Sequence, residues 1–100
     1  MNTATDLTVA NTISQQIGAR AFFMMGTRQK LGDADSLRFD IRGSARGNRI
    51  CVTLDASDTY TVQLLKVRGL HAGVVAENSG IYCDGLRQVI EGMTGLALSL

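Results

Sequence analysis

Residues 37–69 read LRFDIRGSARGNRICVTLDASDTYTVQLLKVRG, and this stretch decides the fold. Its first six residues alternate without a break, with Leu37, Phe39 and Ile41 on one face and Arg38, Asp40 and Arg42 on the other. Successive side chains of a strand point to opposite faces, so a period of two is the mark of a half-buried strand. Gly43 to Asn48 supplies a turn, after which Arg49 to Leu54 alternates again with Ile50, Val52 and Leu54 inward. Asp55-Ala56-Ser57-Asp58 is a tight turn of side chains that bond their own backbone. The third strand runs from Thr59 to Gly69, first with Tyr60, Val62 and Leu64 inward and then, out of phase, Leu65 and Val67. A one-residue slip sends every later side chain to the other face, so the spacing predicts a bulge near Leu64-Leu65.

Upstream, Val9, Ile13, Ile17, Ala21 and Met24 recur every three or four residues along one helical stripe. Asp6 or Thr8 suits its N-cap and Gly26 its stop. Gly18 weakens the middle of this helix by up to about 1 kcal/mol relative to alanine. A break there would leave residues 21–25 as a short strand, and the unbroken helix to Met25 is the preferred reading. Residues 26–36 read as a loop. Residues 70–79 are ambiguous, a short helical turn being one option. A final helix from Ser79 or Gly80 carries Tyr82, Leu86, Val89, Ile90 and Met93 on one face and stops at Gly95. Leu96, Leu98 and Leu100 end the chain and are expected to pack back on the domain or against a partner. The predicted fold is one α+β domain over residues 1–100, with residues 1–6 as a flexible N-terminus. It is a three-stranded antiparallel meander in αβββα order, with an N-terminal and a C-terminal helix covering its single apolar face.

Composition narrows the function classes. One hundred residues, 45% hydrophobic and without proline, make neither a linker nor a disordered tail. A net charge of +1 excludes the bulk electrostatics of a strongly basic nucleic-acid protein. The first residues lack a basic leader and no apolar run approaches the roughly 20 residues of a membrane span, so the expected location is cytoplasmic. Cys51 and Cys83 are read as buried free thiols rather than a disulfide. Together with the single histidine, His71, they do not make a four-ligand zinc cage, so neither metal nor cofactor is expected. Asp33-x-Asp35 fails as a calcium loop, because Arg38 and Ser44 stand where glycine and glutamate are required. There is no Gly-x-Ser-x-Gly elbow, and Gly43-Ser44-Ala45-Arg46-Gly47 lacks the Lys-Ser/Thr end of a phosphate loop. The expectation is a protein that binds rather than catalyses.

The surface expected to bind is the outward sheet face. It should carry Arg38, Arg42, Arg49, Lys66 and Arg68 against Asp40, a net of +4, with the loop bearing Arg28 and Lys30 as second candidate. Arginine outnumbers lysine eight to two, and its planar fork suits bidentate contacts with carboxylate or phosphate. No aromatic side chain falls on that face, which argues against base stacking. A double-stranded-RNA-binding domain shares the αβββα order, but its second helix opens with a lysine cluster; here Ser79 to Asp84 holds no cation.

Short blocks across residues 12–100 resemble a family of small proteins widespread in phages and prophages. They are Ile17-Gly18-Ala19-Arg20-Ala21-Phe22, Phe39-x-Ile41-Arg42-Gly43-Ser44, Thr53-Leu54 with Asp58-Thr59-Tyr60, Lys66-Val67-Arg68-Gly69, Gly80-Ile81-Tyr82-x-Asp84-x-Leu86 and Thr94-Gly95-Leu96-x-Leu98-Ser99-Leu100. The resemblance implies no enzymatic activity and transfers no catalytic residue. Small size and phage origin are also features of anti-CRISPR proteins, by analogy rather than by motif. The leading expectation is therefore a phage or mobile-element protein that inhibits a host defence machine, such as a CRISPR effector complex, by binding it in the bacterial cytoplasm. The alternatives are a nucleic-acid-binding module using the basic face, and a phage assembly protein that forms homo-oligomers through its leucine-rich tail.

Overall fold

The computed structural model describes residues 6–98. Of the expected flexible N-terminus only Asp6 falls within them, and Leu100 lies outside. In chain order come α1 (Thr8–Ile17), α2 (Ala19–Met25), β1 (Arg28–Gly32), β2 (Ser36–Asp40), β3 (Arg49–Leu54), β4 (Tyr60–Arg68) and β5 (His71–Ile81). A 3₁₀ turn, Cys83–Gly85, then leads into α3 (Leu86–Thr94). The strands form one antiparallel sheet in the order β1-β2-β3-β4-β5. All three helices pack on one side of it. The expected three-stranded meander with two helices is thus corrected to five strands and three helices, and the predicted strands are its three central ones.

Gly18 does break the first helix. Its φ of +92° is a conformation that side chains resist, and it separates α1 from α2. The chain then re-enters a helix rather than a strand, because Ala21, Phe22 and Met25 recur at helical spacing and all three are buried. Gly26 takes the expected left-handed stop at φ +61°, with its N–H bonded back to Phe22 and Phe23 carbonyls.

The two edge strands account for the segment read as a loop, residues 26–36, and for the ambiguous residues 70–79, which form a strand rather than a helical turn. β1 has four exposed residues of five and a bulge between Arg28 and Leu31, where Gln29 takes φ +55°. In β5 only Ala76 and Ile81 escape full exposure. Neither strand has a buried face to impose alternation, and backbone pairing is the main thing that holds them. Because β5 runs to Ile81, the last helix begins at Leu86 rather than at Ser79 or Gly80. Tyr82 consequently leaves the buried stripe and is 70% exposed.

The bulge predicted in β4 lies in its neighbour. Leu64 pairs with Ala76 and Leu65 with Val74, so Val75 of β5 is the extra residue and β4 alternates throughout. Leu65 and Val67 therefore stand on the uncovered side, while Lys66 and Arg68 share the side of Val62 and Leu64.

The core sits between the sheet and the helices. Ile13, Ile17, Phe39, Ile50, Val52, Val62, Leu64, Leu86 and Ile90 have no measurable exposure. Leu98 is also buried and Leu96 packs against the same core, so the described part of the tail folds back on its own domain. The connection between β2 and β3 caps α3, with Ser44 Oγ donating to the Thr94 carbonyl (2.7 Å) and Arg46 Nη1 to that of Gly92 (2.8 Å). Cations suit the negative end of a helix dipole, so Arg46 is committed to the fold. Next to it, a Cβ on Gly47 would meet the Leu64 side chain and the Leu65 carbonyl at 2.7 Å, and only glycine lets this loop lie against β4. Both cysteines are free, but Cys51 is half-buried and Cys83 exposed, correcting the expectation of buried thiols.

Two expected results follow from this packing. Val52→Ala should cost about 1–3 kcal/mol, whereas Thr53→Ala, on the uncovered side, should cost less than about 1 kcal/mol. Denaturant titrations of the pair check the assignment of faces, which reverses if Thr53 is the costlier site. Burial also pushes the Tyr60 hydroxyl above its ordinary value of 10.0. A raised tyrosine pKa means stability that is whole below the unfolded value and lost as pH rises through the folded one. Melting temperature should fall as pH climbs beyond about 10, and Tyr60→Phe should flatten that decline. An equal decline in the variant would assign the alkaline loss to other groups.

Candidate partner-binding face of the sheet

Residues directly opposite in an antiparallel ladder share a face, so the registers give the uncovered surface row by row. One row runs Arg28, Asp40, Arg49, Leu65, Val74, and the next Leu31, Arg38, Cys51, Gln63, Glu77. A third carries Ser36, Thr53 and Thr61, and Val67 and Ala72 pair beyond the first row. The face is graded from arginines on β1–β3 to aliphatic side chains on β4 and β5.

Arg49 Nε donates to Asp40 Oδ1 at 2.7 Å, with both side chains about three-tenths exposed. That hydrogen bond to Asp40 raises the arginine's pKa beyond its already high ordinary value, partly offset by burial, so Arg49 stays charged. A pair this exposed contributes about 0–1 kcal/mol. It does engage Asp40, the carboxylate directly opposite Arg28. Arg28, Arg38 and Arg42 are exposed, and among the described residues no hydrogen bond or ion pair engages their guanidinium groups. Two shallow grooves flank the Asp40–Arg49 pair. The first, about 280 Å³, is lined by Leu31, Arg38, Asp40 and Arg49, and the second, about 310 Å³, by Arg28, Asp40, Arg42, Arg49 and Val67.

Of the sequence-predicted residues, the fold brings Arg38, Arg42 and Arg49 together and adds Arg28 from the second candidate group. Lys66 and Arg68 do not join them, because β4 keeps its phase and turns both to the helix side. Lys30 is also on that side, its Nζ 3.4 Å from Ser14 Oγ and 4.4 Å from the centre of the Phe22 ring. With Glu77 counted beside Asp40, the four arginines leave a net of +2 where +4 was expected. Sequence reasoning missed the aliphatic half of the face, although the phase change at Leu65 and Val67 was its signal. It kept Arg28 apart, in the loop group, for want of any alternation in β1.

No known protein family, curated protein or solved structure matches this chain. Among the described residues no three histidines, cysteines, aspartates or glutamates gather where a metal ion would be held, and no helix is long and apolar enough to cross a membrane.

Proposed function

We propose that this chain is a non-enzymatic binding protein that docks on an acidic surface of a partner protein through the bare face of its sheet. The observation that carries this reading is the juxtaposition of three unengaged arginines with an aliphatic strip, half-buried at Leu65 and Val67 and exposed at Val74, on a face no helix covers. Protein interfaces are enriched in arginine and apolar side chains and depleted in lysine at their centres, and this face has that composition. The unengaged guanidinium groups would meet carboxylates, and the strip of Leu65, Val67 and Val74 would be desolvated beside them. Within this reading the partner class comes by analogy of small size and phage context: the protein would occlude a CRISPR effector complex of its host. Expression in a CRISPR-immune host should restore plating of a targeted phage, and the purified protein should co-elute with the effector complex. Full immunity with no co-elution would overturn the inhibitor reading.

The nucleic-acid alternative loses ground with the turning away of Lys66 and Arg68. Phosphate-dominated binding weakens in proportion to the charges neutralised, steeply between low and moderate salt. A contact with an acidic protein surface that also buries Leu65, Val67 and Val74 should weaken far less, so a salt titration of the captured complex separates the two.

A further inference from the structure

The two edges of the sheet are protected very differently. β1 is short, bulged, and carries Arg28 and Lys30, all devices that blunt an edge against pairing. β5 is an eleven-residue edge with no charged residue between His71 and Glu77. Leu70 at the hairpin tip is fully exposed, and Val74 and Val75 are more than half exposed. Long apolar edges of this kind template pairing with another chain unless something covers them.

The backbone register says which atoms face outward. β4 and β5 are joined by the two-residue turn Gly69-Leu70, with only the glycine at positive φ, and the ladder is unbroken from Arg68↔His71 to Leu65↔Val74. The turn's own hydrogen bond makes Arg68↔His71 a bonded pair. Bonded and non-bonded pairs alternate, so Ala72 and Val74 pair with β4 in the non-bonded manner. Their N–H and C=O groups therefore point away from β4, into the free edge. These two positions lie symmetrically about Gly73, where a Cβ would meet nothing within 4 Å.

We propose that β5 pairs antiparallel with β5 of a second copy of this chain, about a two-fold axis at Gly73, to make one continuous ten-stranded sheet. Ala72 of each copy then exchanges hydrogen bonds with Val74 of the other, and Gly73 faces itself. The side chains of Leu65, Val67, Ala72 and Val74 from both copies merge into one aliphatic strip. Opposite residues share a face, so both uncovered faces end on the same side, with an arginine cluster at each outer end. This inference does not depend on the docking reading, though a partner with two sites would meet a bivalent surface.

The test is sedimentation of the full chain over about a hundredfold range of concentration, because dimerisation is set by mass action. The wild type should become dimeric, and Val74→Lys should remain monomeric with an unchanged circular dichroism spectrum. Gly73→Cys, in a chain also carrying Cys51→Ser and Cys83→Ser, should form an intermolecular disulfide on oxidation. Non-bonded antiparallel pairs hold their Cα atoms about 4.5 Å apart, within disulfide reach. A wild type that stays monomeric throughout, or a Val74→Lys chain as dimeric as the wild type, overturns the proposal. Should Val74→Lys fail to fold, the disulfide decides, and a Gly73→Cys chain that does not cross-link refutes pairing about this axis.

Discussion

Phe39→Ala should cost about 3–5 kcal/mol and lower the urea midpoint more than any surface substitution. Phe39 has no measurable exposure, and its ring meets Phe22 edge-on, with centroids 5.1 Å apart and planes at 82°. Truncation therefore opens a cavity between β2 and α2. It also removes an aromatic pair of the kind that contributes about 0.5–1.5 kcal/mol beyond area burial. With only five aromatic residues in the chain, the surroundings offer little bulk to collapse into the space. A domain of this size is stable by roughly 5–10 kcal/mol, so the loss takes a large share. The neighbouring Arg38→Ala, on the bare face, should stay within about 0.5 kcal/mol. Urea titrations followed by circular dichroism measure both. Equal midpoints for the two variants would mean that β2 does not present alternate residues to core and solvent.

Reversing Arg38 and Arg42 to glutamate together should weaken partner binding by at least about a hundredfold, or about 2.7 kcal/mol, while leaving the melting temperature nearly unchanged. Both side chains are exposed and make no hydrogen bond or ion pair among the described residues, so the fold does not depend on their charges. Against an acidic partner the substitutions replace attraction by like-charge contact, which is costlier than mere truncation. Arg49 is left in place because its loss would strand Asp40 beside a new carboxylate. Lys66→Glu, on the helix side of β4, should leave affinity within about twofold, since a rim or distant charge acts mainly on association rate. The measurements are affinity for the effector complex and phage plating on an immune host. Undiminished activity in the double variant, or a larger loss from Lys66→Glu, would move the interface off the bare face.

The central strands were readable in the sequence because each has one buried and one bare face. Leu37, Phe39, Ile50, Val52, Val62 and Leu64 alternate with polar residues, and burial on one side of a sheet can be satisfied in no other period. The stops at Gly26 and Gly95 were readable too, since the left-handed conformation that ends a helix selects glycine. Arg38, Arg42 and Arg49 could be placed from β2, β3 and the turn between them.

The edge strands and the limits of the site were decided by tertiary structure. β1 and β5 are solvated on both faces, so nothing in their side chains repeats with a period of two. They are strands because a neighbouring backbone accepts and donates their hydrogen bonds. The phase change at Leu65 carried a true signal that local reading assigned to the wrong strand. An aliphatic residue turned outward and a bulge look identical along one chain, and only the pairing of Leu64 and Leu65 with Ala76 and Val74 separates them. That pairing turned Lys66 and Arg68 away from the arginines, joined Arg28 to them, and set an aliphatic strip at their side. Which residues form each central strand follows from local periodicity, whereas which charges share a surface depends on strand register, a property of two segments at once.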